Sequence, residues 1–267
     1  MTCAENQGLR VGPSAGAVVA LPLVMLETVA LPWPVPVFMG AQRSTQAEVM
    51  DEPGVSAEDY RRCLGDLAQV NRFTFTHRPV LAWLARRVSQ QPLNRPLVIL
   101  DVASGQGDLL RAIGRWAKGR GLAVSLHGVD LNPRSAVMAR EATPPGLDIH
   151  FATGDVLTHE PAQRPDFIVS SQFTHHLSDA EVVRLLRWLG AQAAQGWFLT
   201  DLERHPLAYL GFPVLCALAG WHDLVKRDGL VSIARSFRSS EWPALLVRAG
   251  VSGQVRRHLP FRLSVEG

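Results

Sequence analysis

The sequence predicts an α/β fold, a mostly parallel sheet with helices on both faces, and three observations predict it. An apolar run, Val98-Ile99-Leu100, ends at Asp101, passes through a turn of small residues, Ala103-Ser104-Gly105-Gln106-Gly107, and enters a helical pattern at Asp108. The same design recurs: apolar strands over 122–130 and 149–156 carry Asp130 and Asp155 at or near their ends, and two more follow over 166–171 and 197–202. Between them lie segments with helical spacing, so strands and helices alternate as parallel βαβ units require.

Each element has its own signal. Ser56-Ala57-Glu58-Asp59 has cap character ahead of Tyr60, Leu64, Leu67 and Val70, and a second helix runs through 79–86. Leu109, Leu110, Ile113 and Trp116 share one face of a helix over 108–118. Asn132-Pro133 opens the next, with Pro near the first turn. Ser178-Asp179 opens a helix over 179–189 whose Val182, Val183, Leu185, Leu186 and Leu189 face inward. Residues 206–220 are almost wholly apolar yet too short to span a bilayer, so they read as a lid within an insertion over 203–240. A helix over 241–249 and two strands broken by Pro260 close the chain.

Composition bounds the function. Hydrophobic content of 47% and charge of 19% suit a folded globular chain, and 267 residues allow one large domain. A net charge of +3 with no basic run beyond pairs such as Arg86-Arg87 argues against a nucleic-acid partner. Cys3, Cys63 and Cys216 are scattered and lack zinc spacing, which predicts no disulfide framework, no metal and a reducing, cytoplasmic setting. Residues 1–50 differ from the rest: Pro22, Pro32, Pro34 and Pro36 interrupt an apolar stretch that is too short, before Glu27, to cross a membrane. They read as a disordered extension, with Met50 a natural beginning and the domain proper at 51–267, of which 51–90 is an N-terminal helical cover. Peripheral membrane contact stays open, and stable insertion is not expected.

The strand–turn–helix at 98–110 has what a nucleotide-like ligand needs. Glycines admit a close backbone approach, and a helix start offers unpaired N–H groups. Asp130, 23 residues beyond Gly107, can accept two hydrogen bonds from vicinal ribose hydroxyls. A dinucleotide-binding loop would require a third glycine where Leu110 stands.

With these three stations the chain resembles the class I S-adenosylmethionine (SAM)-dependent methyltransferases. Asp101-Val102-Ala103-Ser104-Gly105-Gln106-Gly107 corresponds to motif I, with Ala103 in place of the first glycine, and Val129-Asp130-Leu131-Asn132-Pro133 to motif II. The resemblance implies a Rossmann-like seven-stranded sheet and SAM as cofactor. It implies cofactor contacts from Asp101, Ala103, Ser104, Gly105, Gly107, Asp130, Leu131 and Ser171, with Asp155 beside the adenine amino group and Val156 against the ring. Residues 172–179, Gln-Phe-Thr-His-His-Leu-Ser-Asp, lie where an open α/β sheet binds ligands, and His175 or His176 could take a proton from a phenol during methylation. Asp201, at the end of strand five, could orient that histidine. The detail looks like bacterial enzymes of secondary metabolism acting on small phenolic or quinone-like acceptors by O- or C-methylation. The alternative is a SAM-binding regulatory or partner protein without turnover. The sequence leaves the oligomeric state open.

Overall fold

The computed structural model describes residues 42–51, 54–90 and 94–267. Among them seven strands form one sheet in the order β3-β2-β1-β4-β5-β7-β6. The strands are β1 Leu97–Val102, β2 Val124–Asp130, β3 Ile149–Thr153, β4 Phe167–Ser171, β5 Gly196–Leu202, β6 Gln254–His258 and β7 Arg262–Glu266. The first five are parallel; β7 runs antiparallel to both β5 and β6.

Alternation along β1 builds both layers. Leu97 and Ile99 face one core with α2 (Arg78–Gln90), α3 (Asp108–Lys118) and α4 (Pro133–Ala142), where Trp83, Leu110, Ile113 and Ala139 pack. Leu100 and Val102 face the other, against α5 (Asp179–Gln192) and α8 (Trp242–Ala249), with Leu185, Leu189, Trp242 and Leu245. Local chemistry starts the helices where expected. Asn132 accepts from the Arg134 N–H ahead of α4, and Ser178 with Glu181 forms a full capping box on α5. All six residues of β1 are buried, as a central strand covered on both faces must be.

At the opposite end of the strands from the site, Asp166 fixes the start of β4. Its buried carboxylate accepts from Arg95 at 2.7 and 2.6 Å, from the Val98 N–H at 2.9 Å and from Gln195 at 3.0 Å. Burial opposes its charge, yet these donors hold the carboxyl below its usual range. Replacing Asp166 with Ala is expected to cost about 1–3 kcal/mol by leaving buried donors unpaired. A depressed carboxyl stabilises above its unfolded value of about 3.9, and the contribution fades as pH falls through the lower folded value. Urea titrations of the two proteins should therefore converge only in acid; a gap that persists unchanged there would refute this account.

Two differences from the expected layout matter. First, chain before the expected start at residue 51 contacts the domain. The segment from Arg43 to Met50 packs on it as a strap, through Ser44 N–H to the Ala234 carbonyl, Val49 and Met50 N–H to the Asp228 carboxylate, and the buried Met50 side chain. Extension residues 1–41, including Cys3 and the proline-rich stretch, lie outside the described residues. Second, the insertion is two helices, α6 Pro206–Ala219 and α7 Asp223–Arg235, where only α6 had an apolar signal. Gly229 sits inside α7 because the Phe212 ring of α6 occupies the place of a Cβ. The helical cover α1, Ala57–Phe73, packs Tyr60, Cys63 and Leu64 against Cys216, Trp221 and Val225. Among the described residues no helix is long and apolar enough to cross a membrane.

Candidate functional site

Strand order reverses between β1 and β4, and the chain leaves their carboxyl ends in opposite directions, which opens a crevice there. A cavity of about 1040 Å³ lies at this point. The loop after β1 lines it with Ala103, Ser104 and Gly105, the end of β2 with Asp130, Leu131 and Asn132, and the end of β4 with Ser171, Gln172, His175 and His176.

The β1 loop is shaped for close approach. Gly105 has φ +51°, and a Cβ on it would meet nothing within 4 Å. The Gly105 N–H donates to the Asp130 carboxylate at 2.8 Å, while the other oxygen of Asp130 accepts from the Asn132 N–H at 2.9 Å. Each oxygen keeps a further lone pair for a ligand. Ala103 holds φ +55°, a left-handed conformation that costs a residue with a Cβ about 1–2 kcal/mol, consistent with the glycine that stands there in the motif it resembles.

Several residues expected at the cofactor do not line the cavity. Gly107 serves packing instead: with φ +75°, a Cβ there would sit 2.5 Å from the Phe151 ring. Asp101 lies behind the loop, buried, and burial with Asp108 and Asp130 nearby pushes its carboxyl well above the usual range. Asp155 is exposed and accepts from the Leu157 N–H at 2.9 Å, and the Val156 side chain is committed to the core with Val102 and Val129. Asp201 is also outside the lining, one layer behind His175.

Other wall residues carried too little sequence signal to single out. Asp108, first in α3, accepts from Asn71 at 2.8 Å and contacts His77 at 3.2 Å; burial opposes its charge, and those partners hold its carboxyl below the usual range. Arg262 of β7 is buried on the wall, donating to Thr74 at 2.7 Å and Gln172 at 3.4 Å. Burial lowers its guanidinium to about 10 against the pull of Asp201. Asn71 itself also lines the cavity, whereas the neighbouring Arg72 is exposed. Arg235 spends its guanidinium on the carbonyls of His175 and His176, so it holds the histidine turn in place.

The histidine turn carries the strongest electrostatics. His175 Nδ1 lies 2.7 Å from Asp201, which also accepts from the His175 N–H at 2.9 Å and Thr174 at 2.6 Å. His175 Nε2 lies 3.4 Å from Glu48 of the strap, and His176 Nε2 lies 3.8 Å from the same oxygen. Burial alone would lower the His175 pKa, but Asp201 and Glu48 raise it to about 10. Burial would raise both carboxyls; the histidines bring Glu48 to about 2, and His175 brings Asp201 to about 2. His175 thus carries a proton between two carboxylates and is unsuited to act as a base near neutrality. His176, with 29% of its side chain exposed, is the partner on the open wall.

On the acceptor side, α6 turns Ala208, Gly211, Phe212 and Leu215 into the cavity, joined by Leu224, Val225 and Ile233 of α7 and Phe261. The α6 wall is apolar, and α7 adds Asp228, Ser232 and Arg235 among its apolar side chains.

Residues 99–194 match a protein family described as a methyltransferase domain. By sequence, no curated protein matches the chain. Among solved structures it is similar to human N-acetylserotonin methyltransferase in complex with SAM, with a TM-score of 0.56 and 16% identity, over 79% of this chain and 56% of that one. It is also similar to the plantazolicin methyltransferase BpumL, in complex with a pentazolic desmethylplantazolicin analogue and SAH, with a TM-score of 0.57 and 14% identity, over 78% and 90% of the two chains. A third is a putative O-methyltransferase from Nostoc punctiforme, with a TM-score of 0.50 and 18% identity, over 74% and 58%. This chain thus spans little more than half the length of the human enzyme.

Proposed function

We infer that this chain is a class I SAM-dependent methyltransferase, a reading supported by the methyltransferase-domain match over residues 99–194, and that it transfers the methyl group to a small apolar or aromatic acceptor, a phenolic or quinone-like natural product, in the cytoplasm. The observation that carries the reading is a single cavity lined both by the Gly105–Asp130 cradle and by the apolar walls of α6 and α7 beside the histidine turn. Its size is at the top of the range of about 300–1,000 Å³ for small-molecule sites, which suits a nucleoside cofactor with a second molecule.

The residues present fit the cofactor. The open space over Gly105 admits a ligand against the backbone, and Asp130 offers its remaining lone pairs to ribose hydroxyls. When bound, SAM supplies an activated sulfonium methyl. The protein then has to align the nucleophile, exclude water and accept a proton if the acceptor is a hydroxyl. Ala103, Ser104 and Gly105 hold the cofactor side, while Phe212, Leu215 and Ile233 desolvate the acceptor. His176, beside the Glu48–His175 pair, is where an acceptor hydroxyl would lose its proton.

Asp130→Ala is expected to weaken SAM binding by one to two orders of magnitude, about 1.5–3 kcal/mol for lost charged hydrogen bonds. Calorimetry on the folded variant tests this, and unchanged affinity would remove the cradle from the cofactor site. Turnover of labelled SAM with a panel of phenols and hydroxyquinones tests the acceptor class. Binding without transfer to any of them would favour a silent SAM-binding protein.

A further inference from the structure

We propose that Glu48, His175 and His176 form a binding site for a divalent transition metal, zinc by its donor set, at the acceptor end of the cavity. Each residue offers one donor atom, and the three atoms lie within 4.8 Å of one another. Their spacing is compatible with a shared ion as well as with a long mutual hydrogen bond. The 3.4 Å between His175 Nε2 and Glu48 Oε1 exceeds the usual N–H···O range of about 2.7–3.2 Å. It equals the edge of a tetrahedron with metal–ligand bonds of about 2.1 Å, the bond length of zinc to imidazole and carboxylate. The 3.8 Å from Glu48 to His176 requires only a small closing movement.

The surroundings orient the donors as metal sites do. Asp201 takes His175 Nδ1 at 2.7 Å, which fixes the ring so that Nε2 faces Glu48. Ser232 donates to the coordinating oxygen of Glu48 at 2.8 Å. Two carboxylates, Glu48 and Asp201, balance a dication in a buried setting. Two imidazoles with one carboxylate is a donor set that zinc adopts with its fourth position open, and here the three residues all line the cavity. An oxygen of a molecule in the cavity can complete that coordination. This use, unlike the binding itself, rests on the methyl-transfer reading.

The test takes the full-length chain, stripped with a chelator and dialysed, and titrates it with Zn²⁺ against a chromophoric competitor and separately with Co²⁺ for visible absorption. One equivalent is expected to bind with submicromolar affinity, and bound Co²⁺ should show the intense visible bands of low coordination number. Glu48→Gln and His176→Ala should each weaken binding at least tenfold. Circular dichroism checks that both remain folded; if Glu48→Gln does not, the more exposed His176→Ala decides. Absence of saturable binding, or equal affinity in wild type and His176→Ala, would overturn the site and leave an imidazolium clamped by two carboxylates. SAM calorimetry on the stripped protein reports separately on the cofactor reading, so the two can fail independently.

Discussion

Deleting residues 1–49 is expected to cost roughly 3–5 kcal/mol of unfolding free energy, the range for stripping one partner from buried charge pairs. The deletion removes Glu48 from beside His175 and takes the Val49 N–H from the buried Asp228 carboxylate. It also removes Arg43, which donates to the carbonyls of His175, Leu177 and Arg235, pairs with Asp179 at 2.9 Å and lies 3.6 Å over the Phe237 ring. A shorter deletion, of residues 1–41, keeps every one of these contacts. Urea unfolding of the two truncated proteins separates the cases. The longer deletion should unfold at markedly lower denaturant, and its SAM-dependent turnover should fall with the loss of Glu48. Equal midpoints for both truncations would mean that the strap contributes nothing and that the domain does begin near residue 51.

The contrast between strap and sheet shows what a sequence can carry. The cradle was legible because its parts are local: β1, the loop and α3 are consecutive, and Asp130 ends the next strand at the spacing a ribose contact needs. Parallel strands buried on both faces read as apolar runs, and acids at their ends stand out. Glu48 had no such context. It is one acid beside a proline-rich stretch, and its meaning comes from His175 and Ser232, which lie far along the chain. Helix α7 was missed for a related reason. Asp228 and Gly229 look like turn residues, but Asp228 receives the strap's N–H groups and Gly229 makes room for Phe212, so tertiary contacts override local preference. Gly107 carries a packing reason that the motif alone does not show. A motif glycine reads as ligand-facing, whereas the Phe151 ring already occupies the space a side chain would need. Position in a motif indicates the neighbourhood, while the packing partner decides the role.

Within the histidine pair the two substitutions are expected to separate cleanly. His176→Ala should lower turnover of the identified acceptor by roughly 10²–10⁴-fold, the range for losing a positioned group that handles the acceptor proton. SAM affinity should stay at its wild-type value, because the cradle is built from the Asp130 carboxylate and the Gly105 and Asn132 N–H groups. His175→Ala should act mainly on the fold. It deletes a buried side chain that separates Asp201 from Glu48 and leaves two buried carboxylates without their common partner. A loss of roughly 3–5 kcal/mol follows for the broken buried pair, visible as a lower midpoint in urea before any assay of turnover. Asp201→Asn should share part of that loss, since Thr174, the His175 N–H and the Leu202 N–H all rely on its carboxylate. Single-turnover rates and denaturation curves on the same preparations distinguish the roles. If His176→Ala transfers methyl groups as fast as wild type at neutral pH, the turn is only a structural corner, and catalysis rests on the shape of the apolar walls beside Phe212 and Leu215.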